Sequence, residues 1–260
     1  MKHRLLLLLI AIFAATTVAV ALAPKPPASQ ETHTPKPKPK PKPKPTPKLP
    51  EIEMIRVEGG TFSMGSDDSD ANSAEKPVHS VTVPDFQIGK YEVTQKLWKA
   101  VMGTNPSYHK GDSLPVTNVS WKDVQTFIRK LNKRTGKNYR LPTEAEWEFA
   151  ARGGNASCGY KYSGSDNLNA IAWYYDNSNL TPHPVGTKAP NELGIYDMTG
   201  NISEWVSDVW CDDYSSPRSG SRRVFRGGGW SGNARICRVS RRYYLSPDYR
   251  YDDLGFRLAL

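Results

Sequence analysis

The chain has 260 residues and a formal net charge of +9, which is distributed unequally along its length. Residues 1–50 contain nine Lys or Arg and one Glu, a net charge of +8, so residues 51–260 carry only +1. The larger part lacks the basic field that attracts polyanions, and we expect no nucleic-acid partner. The three cysteines, Cys158, Cys211 and Cys237, are too few for a disulfide framework, and a Cys158–Cys211 bridge is one option.

The amino terminus has the pattern of an export signal or a membrane anchor over residues 1–23. Residues 1–4 are basic, and residues 5–23 are apolar except for Thr16 and Thr17. Cleavage after Ala21 or Ala23 and retention as an anchor both fit this pattern. We therefore expect a periplasmic or extracellular protein, with membrane contact only through this segment, which tethers it to the inner membrane if uncleaved.

Residues 24–50 form a Pro/Lys-rich linker that contains eleven of the 21 prolines. Alternating prolines prevent helix and sheet and favour polyproline II. At about 3.1 Å per residue such a segment could reach roughly 80 Å. The linker is thus predicted to hold the following domain away from whatever residues 1–23 occupy.

Residues 51–260 are predicted to form one mixed domain with many turns. Met54–Ser66 indicates two strands around a Gly-Gly turn, and His79–Thr94 continues with alternating apolar positions. A short helix is expected over Gln95–Met102.

Two further helices have clear start signals. Ser120 precedes a helix with an apolar face that begins at Trp121, and Thr143 with Glu146 forms a capping box before the next helix. After Arg152 the sequence is rich in Gly, Asn, Ser and aromatic residues and shows no regular period. Long irregular stretches of this kind often form functional surfaces.

Common catalytic signatures are absent from residues 51–260. The sequence has no dinucleotide or phosphate-binding glycine motif, no Gly-x-Ser-x-Gly and no His-Glu-x-x-His. His79, His109 and His183 are far apart, so a histidine-built metal site would need distant segments.

Four segments carry a family resemblance that covers residues 52–260. They read VEGGTFSMGS, RLPTEAEWEFAARGG, GIYDMTGNISEWVSD and RVFRGGGWSGNARICRVSRR…DDLGFRLAL. In this order they resemble the sulfatase-modifying-factor, or formylglycine-generating enzyme, family. The resemblance implies an α+β fold, a variant of the C-type-lectin-like fold with little regular secondary structure.

The resemblance also implies a copper site that is incomplete here. Enzymes of the family bind copper(I) with two cysteines five positions apart, and two soft thiolates suit that ion. Cys237 lies at the second cysteine position, but Gly232 occupies the first. Gly229 stands where the family often has a serine that helps at the site. Cys237 is thus the catalytic candidate, without its partner sulfur.

A structural calcium ion is the second feature that the resemblance implies. The segment DMTGNISE would supply side-chain oxygens from Asp197 and Glu204 and main-chain carbonyls from Gly200 and Ile202. Hard oxygen ligands of this kind suit calcium. From spacing alone, the two acids would be assigned to a solvated turn.

Arginines near Cys237 have two alternative roles. They could line a groove for an anionic or carbonyl-rich ligand, or form internal ion pairs, for which Asp252 and Asp253 are available. The arginines concerned are Arg235, Arg238, Arg241, Arg242 and Arg257.

Two functions follow as hypotheses. The first is a calcium-stabilised binding or accessory module that engages a protein, peptide or glycan partner outside the cytoplasm. The alternative is a copper-dependent oxidase that uses Cys237 to convert a Cys or Ser of a sulfatase-type protein to formylglycine.

Overall fold

The structure is a computed structural model that describes Ala23 and residues 48–260. The predicted signal or anchor, residues 1–23, and the linker, residues 24–50, lie almost wholly outside this part and stay predictions. Within the described residues, no helix combines the length and hydrophobicity needed to cross a bilayer.

Regular elements are short and separated by long connections, as expected. The strands are β1 Met54–Val57, β2 Gly60–Met64, β3 His79–Val83, β4 Phe86–Gly89, β5 Ser203–Val209, β6 Arg223–Arg226, β7 Arg242–Leu245 and β8 Leu254–Gly255. The helices are α1 Gln95–Met102, α2 Trp121–Thr135, α3 Glu144–Ala151 and α4 Leu168–Ile171.

The strands form three small sheets. β1 pairs with β4 and β2 with β3, both antiparallel, so the two strands at the Gly-Gly turn do not pair with each other. The remaining strands form one sheet in the order β7-β6-β5-β8, in which β5 and β8 are parallel. Sequence analysis did not predict this sheet, because its strands are short and irregularly spaced within the loop-rich half.

The predicted helix starts are confirmed. Thr143 accepts a hydrogen bond from Glu146 N while the Glu146 carboxylate accepts one from Thr143 N, at 3.1 and 2.7 Å. Ser120 and Asp123 form the same reciprocal pair at the start of α2. These side chains satisfy amide groups that the first helical turn leaves unpaired.

The core consists of two large apolar clusters and one small one. The first surrounds Trp98 and Phe127, whose rings stack at 5.1 Å, and the second surrounds Trp147. The small cluster packs α4 against the 3-10 turn Ala234–Cys237. This packing positions the segment around Cys237, which belongs to the fourth family-like stretch of the sequence.

Candidate binding site

Cys237 lies in the interior of the small cluster. Its side chain is fully buried against Leu168, Ile171 and Tyr174, and an ideal Cβ at Gly228 would lie 3.0 Å from its Sγ. Burial raises the pKa of the Cys237 thiol to about 12. The thiol is therefore protonated at neutral pH without a metal, and copper(I) would have to displace this proton to bind.

A cysteine at Gly232 would require the Ile236 side chain to move. An ideal Cβ at this position would lie 2.3 Å from Cδ1 and 2.7 Å from Cγ1 of Ile236. The other two cysteines do not replace it, since Cys158 is exposed, Cys211 is buried beside Arg242, and all three are free. The residues present do not fit the copper site of the family's enzymes.

The arginines near Cys237 form ion pairs, but their partners differ from the expected ones. Arg238 and Arg241 pair with Glu75, Arg242 with Glu144, and Arg257 with Glu204. Within residues 48–260, neither Asp252 nor Asp253 is in an ion pair. The prediction that these two aspartates would be the partners of the arginines was therefore wrong. Arg235 is exposed and donates to the Asp70 carbonyl.

The buried network is centred on β6 and α3. Arg226 donates to Glu144 at 3.1 Å and also pairs with Glu148, while Arg242 makes two bonds of 2.7 Å to Glu144. These four side chains are fully buried. The network therefore joins the irregular half of the protein to the helical half.

Glu75 is the centre of a second group of ion pairs, with Arg238 and Arg241. Burial alone would raise the pKa of its carboxyl, but bonds from Arg238, the Asn72 amide and Ser240 outweigh it and lower the pKa to about 2. The two Arg238 bonds measure 2.7 and 2.8 Å. Glu75 is thus an ionised anchor and not a proton donor.

The predicted calcium segment contains a further buried ion pair. Glu204 accepts bonds of 2.7 and 2.8 Å from Arg257 and one of 2.9 Å from Trp147 Nε1. Both carboxylate oxygens are therefore already engaged. Within residues 48–260, no group of three or more His, Cys, Asp or Glu side chains is arranged to hold a metal ion. The predicted site uses main-chain carbonyls as well, so calcium stays a prediction.

Surplus negative charge surrounds this ion pair. Burial raises the pKa of Asp197 to about 6, and burial together with Asp197 and Glu204 raises that of Glu92 well above its usual range. Glu92 accepts bonds from Asn201 Nδ2 and the Ile202 amide, at 2.6 and 3.2 Å. The raised pKa values of Glu92 and Asp197 therefore reflect burial first and the nearby acids second, in a region where Arg257 is the neighbouring cation.

An open cleft of about 480 Å³ is lined in part by Gly228, Ser231 and Ile236. Its walls include Phe225 and Tyr243, whose rings stack at 5.5 Å, and Tyr251. Asp253 lies in the cleft and accepts a hydrogen bond from Ser231. Burial, and secondarily the neighbouring Asp252, raises the pKa of Asp253.

Exposed large hydrophobic residues lie in and near this cleft. Tyr251 lines it, and four others are linked to Tyr251 or to the Trp230–Gly232 segment. The Tyr175 amide donates to the Gly232 carbonyl. Tyr108 is linked to Trp230 through the His109 ring, and Leu180 is linked to Trp230 through the Ser178 hydroxyl. Tyr249 contacts Tyr251. Clustered exposed apolar groups mark interaction sites.

Sequence reasoning did not single out this cleft. From the sequence, Asp252 and Asp253 were predicted only as partners for arginine. The signal was present in YRYDD, residues 249–253, where two tyrosines alternate with charged residues without a helical or strand pattern.

Comparisons with known proteins agree with the fold. A family model described as Sulfatase-modifying factor enzyme 1-like domain matches residues 39–260. Chaperone protein LppX of Paenibacillus barcinonensis is 36% identical over 239 residues, which cover 72% of this chain and 82% of that protein. The formylglycine-generating enzyme of Thermomonospora curvata is 27% identical over 286 residues, with coverages of 79% and 92%.

A solved structure, Treponema denticola variable protein 1, superimposes with a TM-score of 0.73 and 35% identity. The match covers 80% of this chain and 94% of that one. The expected α+β formylglycine-generating-enzyme fold, with little regular secondary structure, is confirmed. Since the family model spans all of the globular part, this chain belongs to the sulfatase-modifying-factor family.

Proposed function

We propose that this protein is an exported binding or accessory module that engages a protein, peptide or glycan through the Tyr251–Asp253 cleft and does not perform copper oxidase chemistry. The observation that carries the proposal is at Gly232, where the first copper ligand of the family's enzymes is absent and Ile236 fills the space of a side chain.

Three further observations support a binding role. The Cys237 thiol is buried, the cleft is open, and the exposed Tyr251 lines it. The relative named a chaperone is also more similar to this chain, at 36% identity, than two bacterial relatives named formylglycine-generating enzyme, at 27% and 32%.

Formylglycine formation is the second candidate. The retained Cys237 and the similarity to a formylglycine-generating enzyme favour it. Copper would then need a second ligand from outside the motif, because the described cysteines are placed too differently to act with Cys237.

One assay separates the two functions. The purified chain is incubated with copper(I), oxygen and a Cys-x-Pro-x-Arg peptide, beside an active formylglycine-generating enzyme as positive control. We expect no aldehyde by mass spectrometry and no stoichiometric copper. Aldehyde that forms with the wild type and disappears in Cys237→Ala would refute the binding-module proposal.

We propose further that calcium stabilises the fold at Asp197, Gly200, Ile202 and Glu204. Chelation should lower the melting temperature, and added calcium, but not magnesium, should restore it. Glu204→Ala would leave the buried Arg257 without its ion-pair partner and would lower stability for that reason alone. Asp197→Asn is therefore the better variant for testing calcium binding. An unchanged melt in chelator would remove calcium from the proposal.

Export and tethering form the last part of the proposed function. The basic and apolar residues 1–23 and the proline-rich residues 24–50 support a domain held outside the cytoplasm. Intact-mass analysis of the native protein will show whether the first segment is retained as an anchor or cleaved.

A further inference from the structure

We infer that the exposed side of helix α2 is a docking surface for an anionic phospholipid bilayer. The surface, called the basic face below, consists of Arg129, Lys130 and Lys133 on α2 and Lys137 just after it. None of these residues lines the cleft, and the inference does not rest on the proposed binding function. It adds a second membrane contact to the one expected of residues 1–23.

Charge is the first argument. Residues 51–260 have a net charge of only +1, yet residues 124–143 alone contain six basic residues and no acidic one. Within the residues that the structure describes, none of the four side chains of the basic face is in an ion pair. The dipole of α2 adds only about half a negative charge at this end of the helix. Most of the positive charge is therefore uncompensated.

The nearest acids along the chain do not change this balance, because each already has a partner. Asp123, at the start of α2, pairs with Arg250, and Glu146, in α3, pairs with Arg140. Anionic groups from outside the protein would thus meet free cations at the basic face, with which charge-assisted hydrogen bonds form readily.

The geometry of the helix is the second argument. With 3.6 residues per turn, Arg129, Lys130 and Lys133 point to within about 100° of one another. All three are exposed, as is Lys137. The opposite side of α2 is buried, through Val124, Phe127, Ile128 and Leu131. The helix is thus held in the core by one side and presents an array of cations on the other.

The composition of the basic face favours a lipid surface over a folded protein. Lysine is depleted at protein–protein interfaces, whose centres are aromatic and apolar. None of the exposed large hydrophobic side chains of the described residues belongs to the basic face. Clusters of about four to eight Lys or Arg are instead typical of segments that bind anionic phospholipids. The sequence pattern of residues 1–23 independently predicts that the protein meets a membrane.

The test is lysine footprinting of the full chain on vesicles of phosphatidylcholine alone or of equal parts phosphatidylcholine and phosphatidylglycerol. Acetylation of each lysine is followed by mass spectrometry at saturating lipid. We expect the anionic vesicles to slow acetylation of Lys130, Lys133 and Lys137 at least about fivefold, the factor that one basic residue near an anionic surface contributes to binding. Added salt should remove the difference, because it screens the attraction.

Lys76 is the internal reference, because it is exposed and lies outside the basic face. Residues 1–50 are basic and present in every arm, so protection caused by them alone would also reach Lys76. The variant Lys133→Glu should bring acetylation of Lys130 back towards its rate on neutral vesicles. The matched variant Lys76→Glu reverses one exposed charge elsewhere and should leave Lys130 protected.

Four results would overturn the inference. They are no protection of Lys130 on anionic vesicles, the same protection on neutral vesicles, the same protection at Lys76, and an unchanged response in Lys133→Glu. A parallel arm with soluble polyglutamate tests the competing class of partner. Stronger protection of the same lysines by polyglutamate than by anionic vesicles of equal charge would also overturn it, since the basic face would then favour an acidic polypeptide.

Discussion

Arg226, Arg238 and Arg242 are buried and each pairs with a glutamate, whereas Asp252 and Asp253, a few residues further along the chain, line an open cleft without a cation. The two regions are adjacent, because Trp230 and Ser231 donate to the backbone and side chain of this acidic pair. Compensated buried charge indicates a structural role, and uncompensated charge at an open cleft indicates binding. This difference is the reason that the proposed binding function involves the cleft and its acids and not the buried arginines.

The largest change in the free energy of unfolding is expected for the variant Arg226→Met. The variant leaves Glu144 and Glu148 buried with less compensating charge, and breaking a buried pair from one side typically costs about 3–5 kcal/mol. Urea unfolding measures the change in the free energy of unfolding. Arg222→Ala, which removes an exposed ion pair with Asp212, is the control and should cost less than about 1 kcal/mol. Equal costs would show that the network has no special structural role.

Acid should weaken the same network through Glu75. Its folded pKa of about 2 lies below the ordinary value of 4.5, so its stabilising effect is complete above pH 4.5 and is lost as the pH falls towards 2. We expect a loss of about 2 kcal/mol across this window after allowance for solvent screening. Glu75→Gln should lack this acid limb in unfolding measurements at each pH, while Glu53→Gln, which changes an exposed acid, should keep it.

The variant Gly232→Cys tests whether Ile236 limits the size of the side chain at position 232, which lies beside the cleft residue Ser231. The new side chain must displace Ile236, and overpacking of this kind costs about 1–3 kcal/mol. The cost should shrink when the same change is made in an Ile236→Ala background, which makes room for it. Thermal unfolding of the four proteins gives the coupling between the sites. An additive result would mean that Ile236 does not limit this position.

The smallest effect on stability is expected at the cleft. Asp252→Asn/Asp253→Asn should change the free energy of unfolding by less than about 1 kcal/mol, in the stabilising direction, because the raised pKa of Asp253 shows that its charge is unfavourable in the fold. Urea unfolding at pH 7 checks the sign. A loss as large as that of Arg226→Met would mean that these acids also support the fold.

Local signals predicted the helices well. The capping pairs at Ser120 and Thr143 are three residues apart, so the sequence alone contains the whole interaction. The β7-β6-β5-β8 sheet was missed, because its strands come from segments up to about fifty residues apart and contain only two to seven residues each. Such pairing depends on tertiary packing more than on local propensity.

Sequence alone determined the family resemblance and the missing sulfur at Gly232, since both depend only on residue identity at aligned positions. Tertiary structure decided the rest. The partner of Arg238 lies 163 residues away at Glu75, and the Cys237 thiol is protonated because α4, from a distant segment, buries it. Burial and charge compensation depend on which segments meet in space, and the chain order of the residues does not contain that information.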